Sequence, residues 1–401
     1  MEHAEHVRLI RMLMERLDTK TNVDTGGWLE MPVDAYTDAG RANDEWRTFF
    51  QGMPLVLGLS ADLPDAGSFF TDNDLGKPIL CTRDRDGTFH AFLNVCRHRG
   101  TMLEQSERGR RNVFTCPFHA WSYSPSGDLV AVPREDHFGT VDKACNGLVE
   151  LPSAERHGLL WVSADPDGVF DIDEVLGDLG PELAGWDLAR ATPSWRTRYD
   201  HAMNWKLAID TFGETYHFEA LHRDTLASVL HGNCQGYDTF GRHHRMLLTS
   251  RAIDLLRDVP ESEWHLLRAT LPVYYLFPNV QLIMGLDGPT LVRVYPEGSD
   301  PHHSFSRVEF YTHPYTRELA TDEEIASLRS EEAVLARAQG FAEIIRDEDY
   351  AAAASSHRGA VSGALTHFTF GRNEPALHHY HQTYREALNL PPLEMRDVQR
   401  G

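Results

Sequence analysis

Residues 96–121 read CRHRGTMLEQSERGRRNVFTCPFHAW, and they hold two cysteine–histidine pairs separated by a basic loop. The spacing is C-x-H, then C-x-x-H, with Cys96, His98, Cys116 and His119 as the four donors. Two short pairs on neighbouring loops can close one four-ligand site for a soft metal, either zinc or an iron–sulfur cluster. Zinc fingers group two cysteines in one pair and two histidines in the other, whereas here each pair mixes the two. Mixed pairs suit a [2Fe–2S] cluster in which one iron takes two thiolates and the other two imidazoles.

The strand signals around these pairs agree. KPILCTR and TFHAFLNV flank Asp86-Gly87, and WSYSP and DLVAVP flank Ser126-Gly127, two good hairpin turns. GLLWVSA at 158–164 reads as a closing strand. A small β-rich domain over 46–164 therefore carries both pairs at its hairpin ends.

Composition bounds the rest. A chain of 401 residues can form two or more domains with sizeable cores. A formal net charge of −22 argues against nucleic acid or an anionic membrane as partner. No apolar run is long enough to span a bilayer. The N-terminal stretch MEHAEHVRLIRMLMERLD is expected to be an amphipathic helix with Val7, Ile10, Leu13 and Leu17 inward, not a secretory signal. Five cysteines, Cys81, Cys96, Cys116, Cys145 and Cys234, do not make a disulfide framework. A cytoplasmic protein is expected, with Cys81, Cys145 and Cys234 as buried or inert thiols.

Beyond 165 the pattern changes. NWKLAIDTFGETYHFEALH (204–222) reads as a long helix after the strand-like RTRYDHA. PVYYLFPNVQLIM, PTLVRVYPE and HSFSRVEFYTH read as strands, followed by a long acidic helix from 321 to 354 and a terminal helix near 374–388. On a regular helix His217 and His222 stand about 140° apart, so they share a metal only if the helix is bent or carries a wide π-type turn. The run His378, His379, His381 is expected on a surface helix without function.

NVCRHRG and CPFHAW resemble the Rieske signature of ring-hydroxylating oxygenase α subunits, and N-W-K…E-x-Y-H-x-x-x-x-H resembles the mononuclear-iron motif of the same family. The resemblance covers nearly the whole chain. It implies an α+β protein: a β-rich Rieske [2Fe–2S] domain (46–164) inserted into a helix-grip (Bet v1/START-like) catalytic domain with an antiparallel sheet (165–401). A helical segment, 1–45, packs on the catalytic domain. It also implies one Rieske cluster on Cys96, His98, Cys116 and His119, and one mononuclear Fe(II) on His217, His222 and a downstream carboxylate.

In IIRDEDYAAAASSHRG that carboxylate is Asp349, with Asp347 the rival; His357 stands where Gln is common, ahead of Gly359. By the same resemblance Glu214 joins His217 to His119 across a subunit interface. Asp210-Thr211 departs from the Glu-Asn of many members. The implied activity is terminal oxygenation of an organic, aromatic substrate by O2. Monohydroxylation or demethylation, including of a quaternary amine, is the alternative, and a Rieske electron carrier without oxygen chemistry a lower one. The chain lacks a dinucleotide fingerprint and a four-cysteine ferredoxin pattern, so NAD(P)H acts only through a separate reductase, with or without a ferredoxin. A homotrimer is implied, with or without a small β subunit.

Overall fold

A computed structural model describes residues 1–321 and 330–397; part of the predicted acidic helix, 322–329, lies outside the described residues. The chain divides into two units, Arg47–Val175 with Asp187–Arg190, and Met1–Trp46 with Leu176–Trp186 and Ala191–Gly401. Helix and antiparallel strand are both abundant, and among the described residues no helix is long and apolar enough to cross a membrane.

The first unit is built from small antiparallel sheets. Ile79–Arg83 pairs with Phe89–Leu93 across the Asp86-Gly87 turn, within a five-stranded sheet. Leu159–Ser163 sits between Ser153–Arg156 and Pro54–Leu59 in a second. The third joins Phe114–Thr115, Ser122–Tyr123 and Leu129–Ala131. Phe69, Leu80, Phe92, Trp121 and Tyr123 form its core together with Cys96 and Cys116.

The second unit is organised on one seven-stranded antiparallel sheet. Its strands are β1 (Thr192–His201), β2 (Leu230–Phe240), β3 (His243–Ser250), β4 (Thr270–Leu276), β5 (Val280–Gly285), β6 (Gly288–Pro296) and β7 (Ser304–Thr312), in spatial order β1-β7-β6-β5-β4-β3-β2. Every residue of β6 is buried, as a central strand covered on both faces requires.

Helix α1 (His3–Thr19) sets Leu9, Ile10 and Leu13 against Leu247, Trp264 and Leu266. The opposite face carries the cross-strand row His244, Tyr275, Gln281. On it lies a helix, Pro375–Ala387, whose Tyr380 and Tyr384 hydroxyls bond Gln281 (2.8 Å) and Tyr275 (3.0 Å). Pro375 opens that helix where its missing N–H costs nothing.

This corrects the expected surface position of His378, His379 and His381. His378 and His381 are buried, and His381 Nε2 bonds Asp210 at 2.9 Å. Helical periodicity alone did not reveal that the histidine-bearing face meets the sheet.

Candidate metal centres

The two cysteine–histidine loops of the first unit are built alike. The N–H of Gly100 donates to Cys96 O at 3.0 Å, and that of Ala120 to Cys116 O at 2.9 Å. Cys96 N–H and Cys116 N–H in turn donate to Thr101 O and Trp121 O. Each loop closes on a residue with left-handed backbone, Gly100 at φ +77° and Ala120 at φ +58°. Glycine adopts that conformation freely, while Ala120 holds it at a cost of about 1–2 kcal/mol.

The tight turns bring Cys96 beside Cys116 and His98 beside His119. The thiols are buried, and the imidazole centroids lie 4.6 Å apart. His98 stacks on Trp121 at 5.0 Å, which fixes its ring plane, and its Nδ1 is buried without a hydrogen-bond partner. A buried imidazole nitrogen left bare beside two buried thiols fits the donor set of a Rieske cluster. Tyr123 hydroxyl lies 3.5 Å from Cys96 Sγ and accepts from Arg97 N–H at 3.0 Å. His119 and Phe118 are exposed at the tip.

In the second unit the predicted long helix is corrected. Only Trp205–Asp210 is α-helical, begun by Asn204, whose side chain accepts from Lys206 N–H. It stops because the chain must lie flat on the Pro375–Ala387 helix: a Cβ on Gly213 would stand 2.7 Å from Tyr380 and 2.8 Å from Leu377. Asp210 anchors that end, accepting from Tyr36 hydroxyl (2.7 Å) and His381. A string of turns follows. Ala220 and Leu221 N–H groups both donate to His217 O, and this turn folds His222 back toward His217.

The expected wide turn exists, but at the carboxylate. Ile345–Asp349 is a π turn between the α-helices Glu331–Ile344 and Tyr350–Val361. It lets two successive carboxylates, Glu348 and Asp349, reach the two ring nitrogens of His222 from different sides.

The resulting geometry is tight. His217 Nε2 lies 3.1 Å from His222 Nε2, and Asp349 Oδ1 lies 3.4 Å and 3.3 Å from them. Glu214 Oε1 accepts from His217 Nδ1, and Glu348 Oε2 accepts from His222 Nδ1 at 2.6 Å. With both Nδ1 atoms protonated, two bare Nε2 lone pairs and a carboxylate oxygen face one point. Three ligand atoms about 2.1 Å from one ion and mutually at right angles stand about 3 Å apart, so this arrangement fits a two-histidine, one-carboxylate iron site.

The electrostatics agree. Burial works against charging His217, yet the bonds to Asp349 and Glu214 carry it up to about 9. Burial likewise opposes ionisation of Asp349, and the two histidines overcome it and hold the carboxyl low. The pocket seeks positive charge. Asp347, by contrast, is an exposed partner of Arg346 at 2.6 Å. His357 is buried against His302 at 3.0 Å.

Sequence reasoning missed Glu348 as an orienting group; its only signal was adjacency to Asp349. It also missed Glu374, a buried carboxyl that burial pushes up to about 7, with Glu214 adding to the effect. Among the other cysteines, Cys81 and Cys234 are buried and Cys145 is exposed.

Comparison with known proteins gives the setting. Residues 53–149 match the family profile described as Rieske [2Fe–2S] domain, and 188–390 that described as ring hydroxylating alpha subunit (catalytic domain). The chain is 30% identical over 200 residues to the glycine betaine monooxygenase oxygenase subunit of Chromohalobacter salexigens, covering 50% of this chain and 44% of that protein. It is 30% identical over 207 residues to the anthranilate 1,2-dioxygenase large subunit of Acinetobacter baylyi, covering 49% and 43%. These matches span about half the length of the curated relatives. The quaternary ammonium Rieske monooxygenase CntA, solved with its substrate L-carnitine, superposes with a TM-score of 0.71 at 20% identity, over 90% of this chain and 96% of that one. That likeness is one of fold.

Proposed function

We propose, for a chain that belongs to the ring-hydroxylating α-subunit family of Rieske oxygenases, that it is the terminal component that hydroxylates an aromatic or other apolar substrate with O2. The observation that carries this reading is the convergence of His217, His222 and Asp349 beside a chamber walled by Phe218, Leu226, Met246, Val273 and Ile283. When bound, the [2Fe–2S] cluster and the mononuclear iron supply single-electron transfer and dioxygen activation.

The protein's own groups have separable tasks in this reading. Cys96, His98, Cys116 and His119 of domain 46–164 hold the cluster, and His217, His222 and Asp349 of domain 165–401 the iron. Glu214 and Glu348 hold the Nδ1 protons and so fix which nitrogen of each ring faces the ion. The apolar wall excludes water from the reacting carbon.

Two electrons and two protons balance either outcome: O2 adds wholly to a ring as a cis-dihydrodiol, or one oxygen enters the substrate and the other leaves as water. The electrons come from NAD(P)H through a separate reductase, with or without a ferredoxin. We place the enzyme in the cytoplasm as a homotrimer, with or without a small β subunit. The exposure of His119 supports the assembly: a neighbouring copy can then bring its own His119 imidazole to Glu214, whose side chain retains 16% exposure.

A single turnover of the reduced protein with labelled dioxygen tests the reading, with products weighed by mass spectrometry. Two labelled oxygens in one product identify a dioxygenase. One labelled oxygen or a lost methyl group identifies the second reading, a monooxygenase or demethylase, which the glycine betaine relative favours. No labelled product from any substrate refutes both.

A further inference from the structure

Two adjoining spaces lead outward from the triad. The inner one, about 40 Å³, touches His217, His222 and Asp349. The outer one, about 830 Å³, shares Leu226, Leu230, Leu271, Ile283, Phe341 and Ile344 with it and opens away from the histidines. The inner space has room for a few atoms. The outer one lies in the upper part of the range that encloses a drug-sized ligand, and is several times what a single ring fills.

The outer walls specify chemistry as well as size. Branched aliphatic side chains predominate over ring faces, and at the mouth Val229 and Leu255 stand 54% and 73% exposed. Such an uncovered apolar patch is a site of entry for an apolar solute. Among the described residues the charged lining groups balance, Glu263 and Asp287 against Arg268 and Arg337, and Arg337 lies 3.6 Å from Asp287. Among the described residues no aromatic cage of the kind that recognises quaternary ammonium lines the cavity.

Gly340 adds an independent sign. It lies inside the Glu331–Ile344 helix, where glycine is less favourable than alanine, and a Cβ placed on it would meet nothing within 4 Å. Among the described residues no packing neighbour requires the glycine, but it borders the outer cavity and leaves that space open.

Resting on the oxygenase reading above, we infer that the substrate is a neutral, largely saturated fused-ring body of sterol-like size. The outer cavity holds the body, and one projecting carbon passes through the inner space to the metal. Its recognition comes from area: affinity rises with the apolar surface removed from water.

The test uses the holoprotein and a neutral fluorophore, Nile red, displaced by benzene, naphthalene, progesterone, benzoate or glycine betaine. The expected order of affinity is progesterone, naphthalene, benzene, with neither charged compound displacing the dye. Gly340→Phe is expected to lower the progesterone-to-benzene affinity ratio at least about tenfold with iron content unchanged; the wild-type series stands as the test if that variant fails to fold.

Naphthalene binding as tightly as progesterone, or displacement by glycine betaine or benzoate, overturns the inference. Single turnovers with the same compounds separate the two readings. Size-ordered binding without labelled product from any compound leaves the cavity assignment standing and refutes the oxygenase. Labelled product from benzoate or glycine betaine, without size-ordered binding, does the reverse.

Discussion

Glu348 Oε2 and His222 Nδ1 stand 2.6 Å apart, and this contact decides which nitrogen His222 presents to Asp349. Thr225 hydroxyl donates to the same oxygen at 2.9 Å and holds the carboxylate in place. A carboxylate behind an imidazole ligand raises its basicity and fixes its ring, and loss of such a partner typically costs about 10–100-fold in metal affinity or activity. Glu348→Ala is expected to weaken Fe(II) binding by that factor, measured by competition with a chelator. Glu348→Gln, whose amide oxygen still accepts, is expected to recover part of the loss. The visible spectrum of the cluster stays unchanged in both.

The choice between adjacent acids has a direct chemical test. Asp349 is buried between the two histidines, whereas Asp347 is exposed and paired with Arg346. Asp349→Ala is expected to lose the mononuclear iron with acid-labile sulfide unchanged, and Asp347→Ala to lose neither. Iron and sulfide assays on the two purified variants check this. Full iron in Asp349→Ala would remove the residue from the ligand set.

How much of this was legible in the sequence depends on the range of the forces involved. The hairpins at Asp86-Gly87 and Ser126-Gly127 were, because a short turn closing on a left-handed glycine, Gly87 or Gly127, is a local requirement. So was the mixed pairing at Cys96–His98 and Cys116–His119, since metal chemistry demands particular donors at short spacing. The path through Thr211–Asp224 was not: local propensity favours helix, and Gly213 pressed on Tyr380 ends it. That contact lies 167 residues away in the chain. Glu348 looked like one acid among three on a solvated face, because the π turn that aims it inward is set by tertiary packing.

Glu214 is expected to act without binding metal. Its carboxylate touches His217 Nδ1 and the backbone N–H groups of Tyr216 and His217. Glu214→Gln keeps the size and one acceptor, so both metals are expected to remain. Turnover is expected to fall about 10–100-fold, read as product per iron with cluster reduction followed separately. Wild-type turnover in that variant would exclude the bridging role.

The N-W-K segment supplies a stability test remote from the metals. Lys206 Nζ and Glu45 Oε2 lie 2.5 Å apart, essentially without exposure, and Trp205 Nε1 donates to the same oxygen at 3.0 Å. Burial lowers the Lys206 ammonium to about 8 despite this partner. Glu45→Ala strands a buried cation and an indole donor, and removal of one member of a buried pair costs about 3–5 kcal/mol. The thermal midpoint of the catalytic unit is expected to fall accordingly. Glu45→Ala combined with Lys206→Met is expected to recover part of that loss, because the buried ammonium is removed with its partner; Arg41, which pairs with the other Glu45 oxygen at 3.4 Å, keeps the recovery incomplete.

Glu374 sets the sign of a pH effect. It opens the helix that carries His381, and its Oε2 accepts from Gly371 N–H at 2.5 Å. Burial raises its carboxyl from 4.5 to about 7, the bond from Gly371 opposes the rise, and the nearby charge of Glu214 adds to it. Between those two values the folded chain binds the proton and the unfolded chain does not, so stability falls as pH rises through the window. Below 4.5 the group is neutral in both states and has no effect. Above 7 the penalty is constant at about 3 kcal/mol. Glu374→Gln keeps the acceptor for Gly371 and removes the titration. Its stability advantage over the parent is expected to be less than half that figure at pH 5.5 and to approach it at pH 8, measured as the difference in thermal midpoint at each pH with both proteins iron-loaded. A difference that stays constant between the two pH values would mean that Glu374 ionises in the folded protein as it does in the unfolded chain.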